Sequence, residues 1–276
     1  MNAVLEILHH GALCTVQDGG RPGQRHLGIP PAGALDRAAL ALANRLLDNP
    51  RHVPALECLV GTRLRALVPV QVALAGREHA RAWVLTPGAC IEITLDWPGV
   101  WHYLALPGGI AAPHWLGSAS VCVRAGIGAP LRHGDRVSAQ LAALSAWPPG
   151  IRGRYLAEPG PHDAGTIRVW PGPQWAQFSA QARKSLCAQT WQISRQSDRS
   201  GYRLEGEALP VPDRELFSEP VRIGAIQVPP DGRPIVCLND GPTVGGYPKI
   251  GVIDPDDLHR VVQTRPGAPV RFRIAT

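Results

Sequence analysis

Three tracts of this 276-residue chain set carboxylates beside cationic side chains among glycines. The first is Thr15-Val16-Gln17-Asp18-Gly19-Gly20-Arg21-Pro22-Gly23, continued by Pro31-Ala32-Gly33-Ala34-Leu35-Asp36-Arg37. The second is Ser197-Asp198-Arg199-Ser200-Gly201-Tyr202-Arg203-Leu204. The third is Leu238-Asn239-Asp240-Gly241-Pro242-Thr243-Val244-Gly245-Gly246-Tyr247-Pro248-Lys249. A guanidinium fork suits a carboxylate or phosphate. Glycine turns let the backbone approach a ligand closely and aim N–H groups at an anion. Together these are parts for binding a substrate that carries or develops negative charge. Each tract also reads, by itself, as a structural turn closed by an ion pair, and Asp36 as a helix cap. Lys249 is harder to read as structural. Of the 28 basic residues all but Lys184 and Lys249 are arginine, so a lysine beside the densest glycine tract departs from the chain's own habit.

Several common machines are missing. The sequence has no Gly-x-x-x-x-Gly-Lys-Ser/Thr and no Gly-x-Gly-x-x-Gly, which removes the P-loop and the dinucleotide fingerprint. Gly-x-Ser-x-Gly and Ser-x-x-Lys nucleophile motifs are absent. The ten histidines are scattered, without His-Glu-x-x-His, and no metal site is expected. The arginines form no basic stripe interleaved with aromatics, and there are only three phenylalanines; nucleic-acid binding is not expected. The six cysteines form no Cys-x-x-Cys pair and sit largely in apolar runs, as buried free thiols do. The chain starts without a basic segment and long apolar run, and no stretch is long enough to span a bilayer. A cytoplasmic protein with no membrane partner is the expectation.

The elements that must hold these tracts are mostly strands. Thirty glycines and 28 prolines punctuate short apolar runs, a pattern of strands and turns rather than of a helical bundle. Val4–Leu8 reads as a first strand, followed by a loop from Asp18 to Gly33. Asp36 caps a helix through Ala39, Leu40, Ala43, Leu46 and Leu47, stopped at Asn49-Pro50. Strands are expected at 70–74, 82–85, 90–95 and 100–106. Trp147–Pro161 reads as a linker, separating an N-terminal β domain at 1–147 from a C-terminal one at 162–276, with 148–161 as the connection. The second half offers a strand at 166–170, a helix at 179–188, and a hairpin of 224–228 with 234–238 around Pro-Asp-Gly. A helix starting at Asp254-Pro255 and a strand at 270–274 close the chain. Arg132-x-Gly-x-x-Val137 and Arg265-x-Gly-x-x-Val270 each lead into a strand late in their half, an echo that suggests two similar β domains.

In this order, the tracts resemble the biotin-dependent carboxyltransferase family, which includes 5-oxoprolinase C subunits, allophanate hydrolase subunit 2 and Kip antagonist types. The resemblance rests on Thr15-Val16-Gln17-Asp18, Leu27-Gly28-Ile29-Pro30 to Asp36, Leu46 to Glu57, Gln196 to Leu204, Gly224 to Pro229, and Gly245-Gly246-Tyr247-Pro248-Lys249-Ile250. It implies a mostly β fold with a few short helices, built as two cyclophilin-like β-barrel domains. It further implies an ATP-dependent 5-oxoprolinase, a hetero-oligomer in which this chain is the C component and works with a sister B component and a hydrolase-like A component. ATP would be shared with the partner. The implied substrate is a small-molecule amide, 5-oxoproline, opened to glutamate. A carboxyltransferase acting on urea or a related amide, and a non-catalytic partner of a kinase-inhibitor-like sister protein, are the alternatives. Neither lysine lies in a Met-Lys-Met-like turn, so a carboxyltransferase would need biotin supplied in trans. Where the family resembles Asp-Arg-Gln-Thr-Thr, this chain has Asp240-Gly241-Pro242-Thr243-Val244.

The candidate catalytic residues are Lys249, as stabiliser of a developing anion, and Asp198 and Arg199, for substrate or phosphate contact. Gln17, Asp18, Arg21, Gln227, Asp240, Thr243, Gly245, Gly246 and Tyr247 are the candidate substrate-binding residues. Of these, Gln17, Asp18 and Arg21 form a second cluster expected to line the same cleft.

Overall fold

The computed structural model describes residues 2–77, 79–141, 153–157, 166–213 and 216–275. The chain divides into two compact units, one of Met1–Arg21 with Ala32–Gly160 and the other of Pro22–Pro31 with Pro161–Thr276. Among the described residues no helix is long and apolar enough to cross a membrane.

The first unit is built from two antiparallel sheets. Strands β1 (Ala3–His10), β2 (Cys14–Gln17), β3 (Ala55–Cys58), β4 (Thr62–Ala66), β5 (Val70–Gly76), β6 (His79–Leu85), β7 (Cys90–Glu92), β8 (His102–Ala105), β9 (Arg136–Ser138) and β10 (Gly153–Ala157) form them. One sheet has the order β7-β4-β1-β9 and the other β10-β6-β5-β8-β3-β2. Strand β4 alternates buried and exposed residues, as a strand with one wet face should, whereas β5 is buried along its whole length. The core includes Leu5, Ile7, Leu56, Leu64, Val72, Leu74 and Leu104, contributed by both sheets. Helix α1 (Arg37–Leu46) begins where expected, because the Asp36 side chain accepts from the Ala39 N–H at 2.9 Å.

Two expectations need adjustment here. The strand expected over 90–95 stops at Glu92, since a turn follows in which the Trp97 N–H reaches the Thr94 carbonyl at 3.3 Å, leaving Leu95 exposed. The connection expected at 148–161 contains β10, which pairs antiparallel with β6 from Gly153↔Trp83 to Ala157↔His79. The remainder of that stretch lies outside the described residues.

The second unit contains a closed barrel. It is formed by β11 (Thr166–Pro171), β12 (Trp191–Ile193), β13 (Gly201–Glu205), β15 (Ala225–Gln227), β16 (Ile235–Cys237), β18 (Lys249–Ile253) and β19 (Pro269–Ile274). The circle β11-β18-β15-β16-β13-β12-β19 closes by parallel pairing of β19 with β11, which leaves no free edge in the barrel. A short ribbon of β14 (Glu219–Pro220) and β17 (Val244–Gly245) accompanies it. Helix α2 (Ala180–Ala188) is capped by Ser179, whose hydroxyl accepts from the Ala182 N–H.

The Pro-Asp-Gly hairpin forms as the turn chemistry requires, with Ile226↔Val236 and Gln227↔Ile235 as cross-strand partners. The last helix starts later than its signal. Residues 255–257 form a tight 3-10 turn before α3 (Leu258–Val262), because the Asp257 carboxylate is drawn to the Arg168 backbone N–H and guanidinium at 2.8 and 2.9 Å. The two Arg-x-Gly-x-x-Val echoes are turns with left-handed glycines, Gly134 at φ 85° and Gly267 at φ 82°, leading into β9 and β19.

Candidate functional site

The expected cluster of the first unit is a buried knot. The Asp18 carboxylate accepts from the Gly20 N–H at 2.7 Å, the Ser118 and Ser120 hydroxyls at 2.6 Å each, and the Ala119 N–H at 2.7 Å. The buried Arg21 guanidinium donates to the Ser120 carbonyl and lies over the Trp115 ring. The Gln17 amide donates to the Thr15 hydroxyl at 3.0 Å and the Val121 carbonyl at 2.8 Å. Its Oε1 is buried with no hydrogen-bond partner among the described residues. Asp18 and Arg21 therefore tie segment 17–21 to the loop 115–121, and their polar atoms face protein. A second buried carboxylate, Glu57, accepts from the Tyr103 hydroxyl at 2.7 Å, which itself accepts from the Asp36 N–H at 2.9 Å. Burial, with Glu57 and Asp36 nearby, pushes the Tyr103 hydroxyl well above its ordinary range, so it stays a donor.

In the second unit the Ser197–Leu204 tract has two jobs. Asp198 is exposed, and its Oδ1 accepts from the backbone of Ser200 at 2.7 Å and of Gly201 at 3.2 Å. This is a side-chain turn that launches β13. Arg199 is buried and grips Asp240 with both arms of its fork, Nε to Oδ2 at 2.8 Å and Nη2 to Oδ1 at 2.9 Å. The Asp240 N–H returns a bond to the Arg199 carbonyl at 3.1 Å. Thr243 is buried, and its carbonyl accepts from the Val221 N–H at 2.9 Å. The pair Arg199–Asp240 thus fastens the loop that leads to the glycine tract.

Lys249 opens β18, and only 3% of its side chain is exposed. A buried ammonium requires a counter-charge. Glu219 supplies it, with Nζ to Oε1 at 2.7 Å. The Gln174 amide donates to the same oxygen at 2.7 Å, and its Oε1 accepts from the Lys249 N–H at 3.0 Å. The Lys249 ammonium also reaches the Tyr247 carbonyl at 3.3 Å. Hydrogen bonds from Lys249 and then Gln174 hold the Glu219 carboxyl below its usual range. The close approach of the Gly172 loop to β18 depends on that glycine, because a Cβ there would collide with the Lys249 carbonyl oxygen.

Gln227 is the cross-strand partner of Lys249, at a bulge where Ile226 pairs with Gly251 and Gln227 with Lys249. Bulges re-aim side chains next to sites. The Gln227 Oε1 accepts from the Cys237 thiol at 3.2 Å, while its Nε2 is buried with no hydrogen-bond partner among the described residues. Burial pushes the Cys237 thiol up to about 12, against the pull of Lys249 and Arg25, so it remains protonated. Arg25 comes from the Pro22–Pro31 segment. Its Nη2 donates to the Val221 carbonyl and to the Pro242 carbonyl, the latter at 3.1 Å, and its Nη1 is buried with no hydrogen-bond partner among the described residues. Gly246 and Tyr247 line a cleft of about 590 Å³ together with Val228, Pro230 and Pro248, and Tyr247 is 46% exposed.

The second unit therefore brings Lys249, Gln227 and Gly245 together and adds Arg25, Gln174, Glu219 and Cys237, which sequence reasoning missed. One clue was available: a buried lysine needs a carboxylate. Sequence alone could not choose Glu219 from the chain's 22 acidic residues. Arg199 and Asp240 pair with each other, and the Asp198 Oδ1 is taken up by the backbone of Ser200 and Gly201.

A mostly β chain with a closed barrel, holding a buried lysine and its carboxylate beside a Gly-Gly-Tyr-Pro turn, defines the class. Residues 27–274 match the family described as carboxyltransferase domain, subdomain A and B, and the chain belongs to that family. It is 34% identical to the 5-oxoprolinase C subunit of Escherichia coli (strain K12), covering 98% of this chain and 90% of that relative. Against the 5-oxoprolinase C subunit of Haemophilus influenzae the identity is 30%, with the same coverage. The crystal structure of TTHA0988 superposes with a TM-score of 0.86 at 35% identity, over 98% of this chain and 56% of that one. This chain thus spans little more than half of that longer protein. The crystal structure of the K. lactis urea amidolyase gives a TM-score of 0.84 at 25% identity, over 99% of this chain and 19% of that one.

Proposed function

We propose that this chain is the C component of an ATP-dependent 5-oxoprolinase-like complex, where it helps activate 5-oxoproline for ring opening to glutamate. The observation that carries this reading is the end-to-end match to a 5-oxoprolinase C subunit, across nearly all of both chains. The site supports it. Among the described residues Lys249 and Arg25 outnumber the one carboxylate paired with them, Glu219, so the cluster favours a group that carries or gains negative charge. Attack on a lactam carbonyl moves negative charge onto its oxygen, and Lys249 is the residue assigned to that oxygen. Glu219 and Gln174 keep the ammonium in place. Asp198 and Arg199 serve by holding the loop rather than by touching substrate, and Asp18 with Arg21 does the same for the first unit's loop.

ATP is part of this reading, but the residues here do not suit its triphosphate. One ammonium and one guanidinium set against one carboxylate match a single negative charge, not the several charges of a nucleotide tail. The nucleotide is accordingly assigned to a partner protein, and no step on this chain is routed through it. B-like and A-like chains are the partners, and hydrolysis of the activated ring belongs to the latter.

The test is reconstitution. Purified chain is mixed with the B-like and A-like proteins, 5-oxoproline and ATP, and glutamate and ADP are measured. Coupled formation of both, dependent on this chain, is the expected result. Product no higher than in controls with each protein alone removes the reading.

A further inference from the structure

The first unit holds a cavity of about 310 Å³ whose wall includes none of the substrate-binding candidates. It lies at the seam of the two sheets. Strand β2 ends one sheet and β9 ends the other, and Val16 of the first and Val137 of the second both line the cavity. Ile110, Ala119 and Val121 complete a buried floor. Pro113, Gly128, Ala129 and Arg136 are exposed and form the rim. Folded interiors rarely leave a space larger than a water molecule, so a gap of this size has a structural cause. Much of the wall is built from short residues, Ala111, Ala112, Ala119, Gly128 and Ala129. Its segments are also pinned by backbone hydrogen bonds. The Val121 N–H reaches the Val16 carbonyl at 3.0 Å, and the Leu131 N–H reaches the Cys14 carbonyl at 2.9 Å. On the other side the Ala111 N–H reaches the Ser138 carbonyl at 2.9 Å. Pinned segments cannot close over short side chains, so the cavity is built into the fold.

The wall also limits what can enter. Among the described residues that line it, Arg136 carries the one polar side chain. A polar group carried to the floor would lose its water and meet no side-chain partner, so the part of a ligand that enters is hydrocarbon. The volume is roughly twice that of a ~150 Å³ apolar cavity that takes benzene, which gives room for a chain on the order of eight carbons. The rim carries a cation and no carboxylate. Glu6, the cross-strand partner of Arg136, is already gripped by Arg65 through Nε at 3.2 Å and Nη2 at 2.5 Å. A head group left at the rim is therefore better anionic than cationic. Arg136 is exposed, and water screens it, so hydrocarbon burial supplies the affinity and the charge sets only a preference.

We propose that this cavity binds the hydrocarbon end of a medium-chain monocarboxylate, whose carboxylate stays in water at the rim that Arg136 lines. The site belongs to the first unit, whereas Lys249 belongs to the second, and the proposal does not rest on the 5-oxoprolinase reading.

The experiment follows alanine methyl groups by NMR in full chain labelled at those methyls. The Ala112 and Ala119 signals are identified by their loss in Ala112→Ser and Ala119→Ser. Acetate, butanoate, hexanoate, octanoate and octylammonium are titrated. Octanoate shifting both methyls, with acetate leaving them unmoved, is the expected result. Each added methylene should tighten binding by up to about fourfold, ~0.8 kcal/mol. Octanoate should bind a few-fold more tightly than octylammonium. Arg136→Gln should remove that preference while weakening octanoate by no more than about fivefold, as suits an exposed charge. Ala112→Phe should weaken octanoate by about tenfold or more by filling the space, ~1.4 kcal/mol, with the fold intact by circular dichroism. If Ala112→Phe fails to fold, Ala129→Phe, exposed on the rim, carries the same test. Octanoate that leaves both methyls unmoved, or that binds the filled variant as tightly as the wild type, overturns the site. Octylammonium binding as tightly as octanoate overturns the assignment of a carboxylate.

Discussion

Replacing Arg199 by methionine should destabilise the protein strongly, and the structure indicates by how much. The side chains of Arg199 and Asp240 are 6% and 5% exposed, and two hydrogen bonds of 2.8 and 2.9 Å join them. Removing one partner strands the other charge in a dry site, a loss of about 3–5 kcal/mol. For a unit of this size each kcal/mol moves the melting midpoint by ~3–6 °C, so a fall of ~10–30 °C is expected. The double variant Arg199→Met with Asp240→Leu removes both charges. Apolar residues of similar volume replace buried pairs at little net cost, so it should recover to within about 2 kcal/mol of the wild type. Thermal denaturation by circular dichroism gives the midpoints, and turnover of 5-oxoproline in the reconstituted complex gives the functional readout. The structural role predicts that the double variant regains both stability and turnover. A double variant that melts like the wild type but turns over nothing would refute it and return Arg199 to the substrate. So would a single variant whose midpoint does not move.

Two further outcomes follow from other parts of the site. The Glu219 carboxyl is held below its ordinary value of 4.5 by Lys249 and Gln174; a depressed folded value means its contribution is present above about pH 4.5 and is lost as pH falls through the lowered folded value. The midpoint difference between wild type and Glu219→Gln should be constant near neutrality and shrink in acid below that point. Its size reflects Lys249, which is 3% exposed and loses its counter-charge in the variant; a difference that grows in acid would contradict the assignment. Gly172→Ala should lower the midpoint by several degrees and weaken turnover together, since its Cβ would collide with the Lys249 carbonyl oxygen, and backbone must shift to admit it; an unchanged melt and unchanged rate would show that the loop is not tight.

What was legible in the sequence was local. Asp36 and Ser179 announced their helices because an N-cap needs only a side chain and the N–H three residues on. The Pro-Asp-Gly hairpin could be read for the same reason. Strand β5 was plain because it is apolar nearly throughout and buried along its length. The ribbon of β14 and β17 was invisible: each strand has two residues, and its partners Glu219 and Gly245 are far apart in sequence. Glu219 belongs to Ser218-Glu219-Pro220, which carries neither period nor motif. Arg25 was hidden within a glycine- and proline-rich loop, and only packing inside the second unit gives it Val221 and Pro242 as anchors. Lys249 could be singled out because its residue type is rare here, a signal of composition rather than of pattern. Asp198 and Arg199 were picked by the same reasoning about charge near glycine, and the structure gives each a partner within the protein: turn N–H groups for one and Asp240 for the other. Residue type near a glycine turn does not by itself separate an anion site from a structural ion pair, because the partners of each polar atom are set by three-dimensional packing.

The most direct test of the account is the rate of 5-oxoproline opening by the reconstituted complex with Lys249→Met in place of the wild type. Methionine keeps the volume and drops the charge, and Glu219 is exposed enough to be solvated once its partner is gone, so the fold should hold. Loss of one preorganised stabiliser of an oxyanion lowers turnover by about 10²–10³. The account predicts a fall of that size with an unchanged circular dichroism spectrum, and a Lys249→Met complex that makes glutamate at the wild-type rate would contradict it.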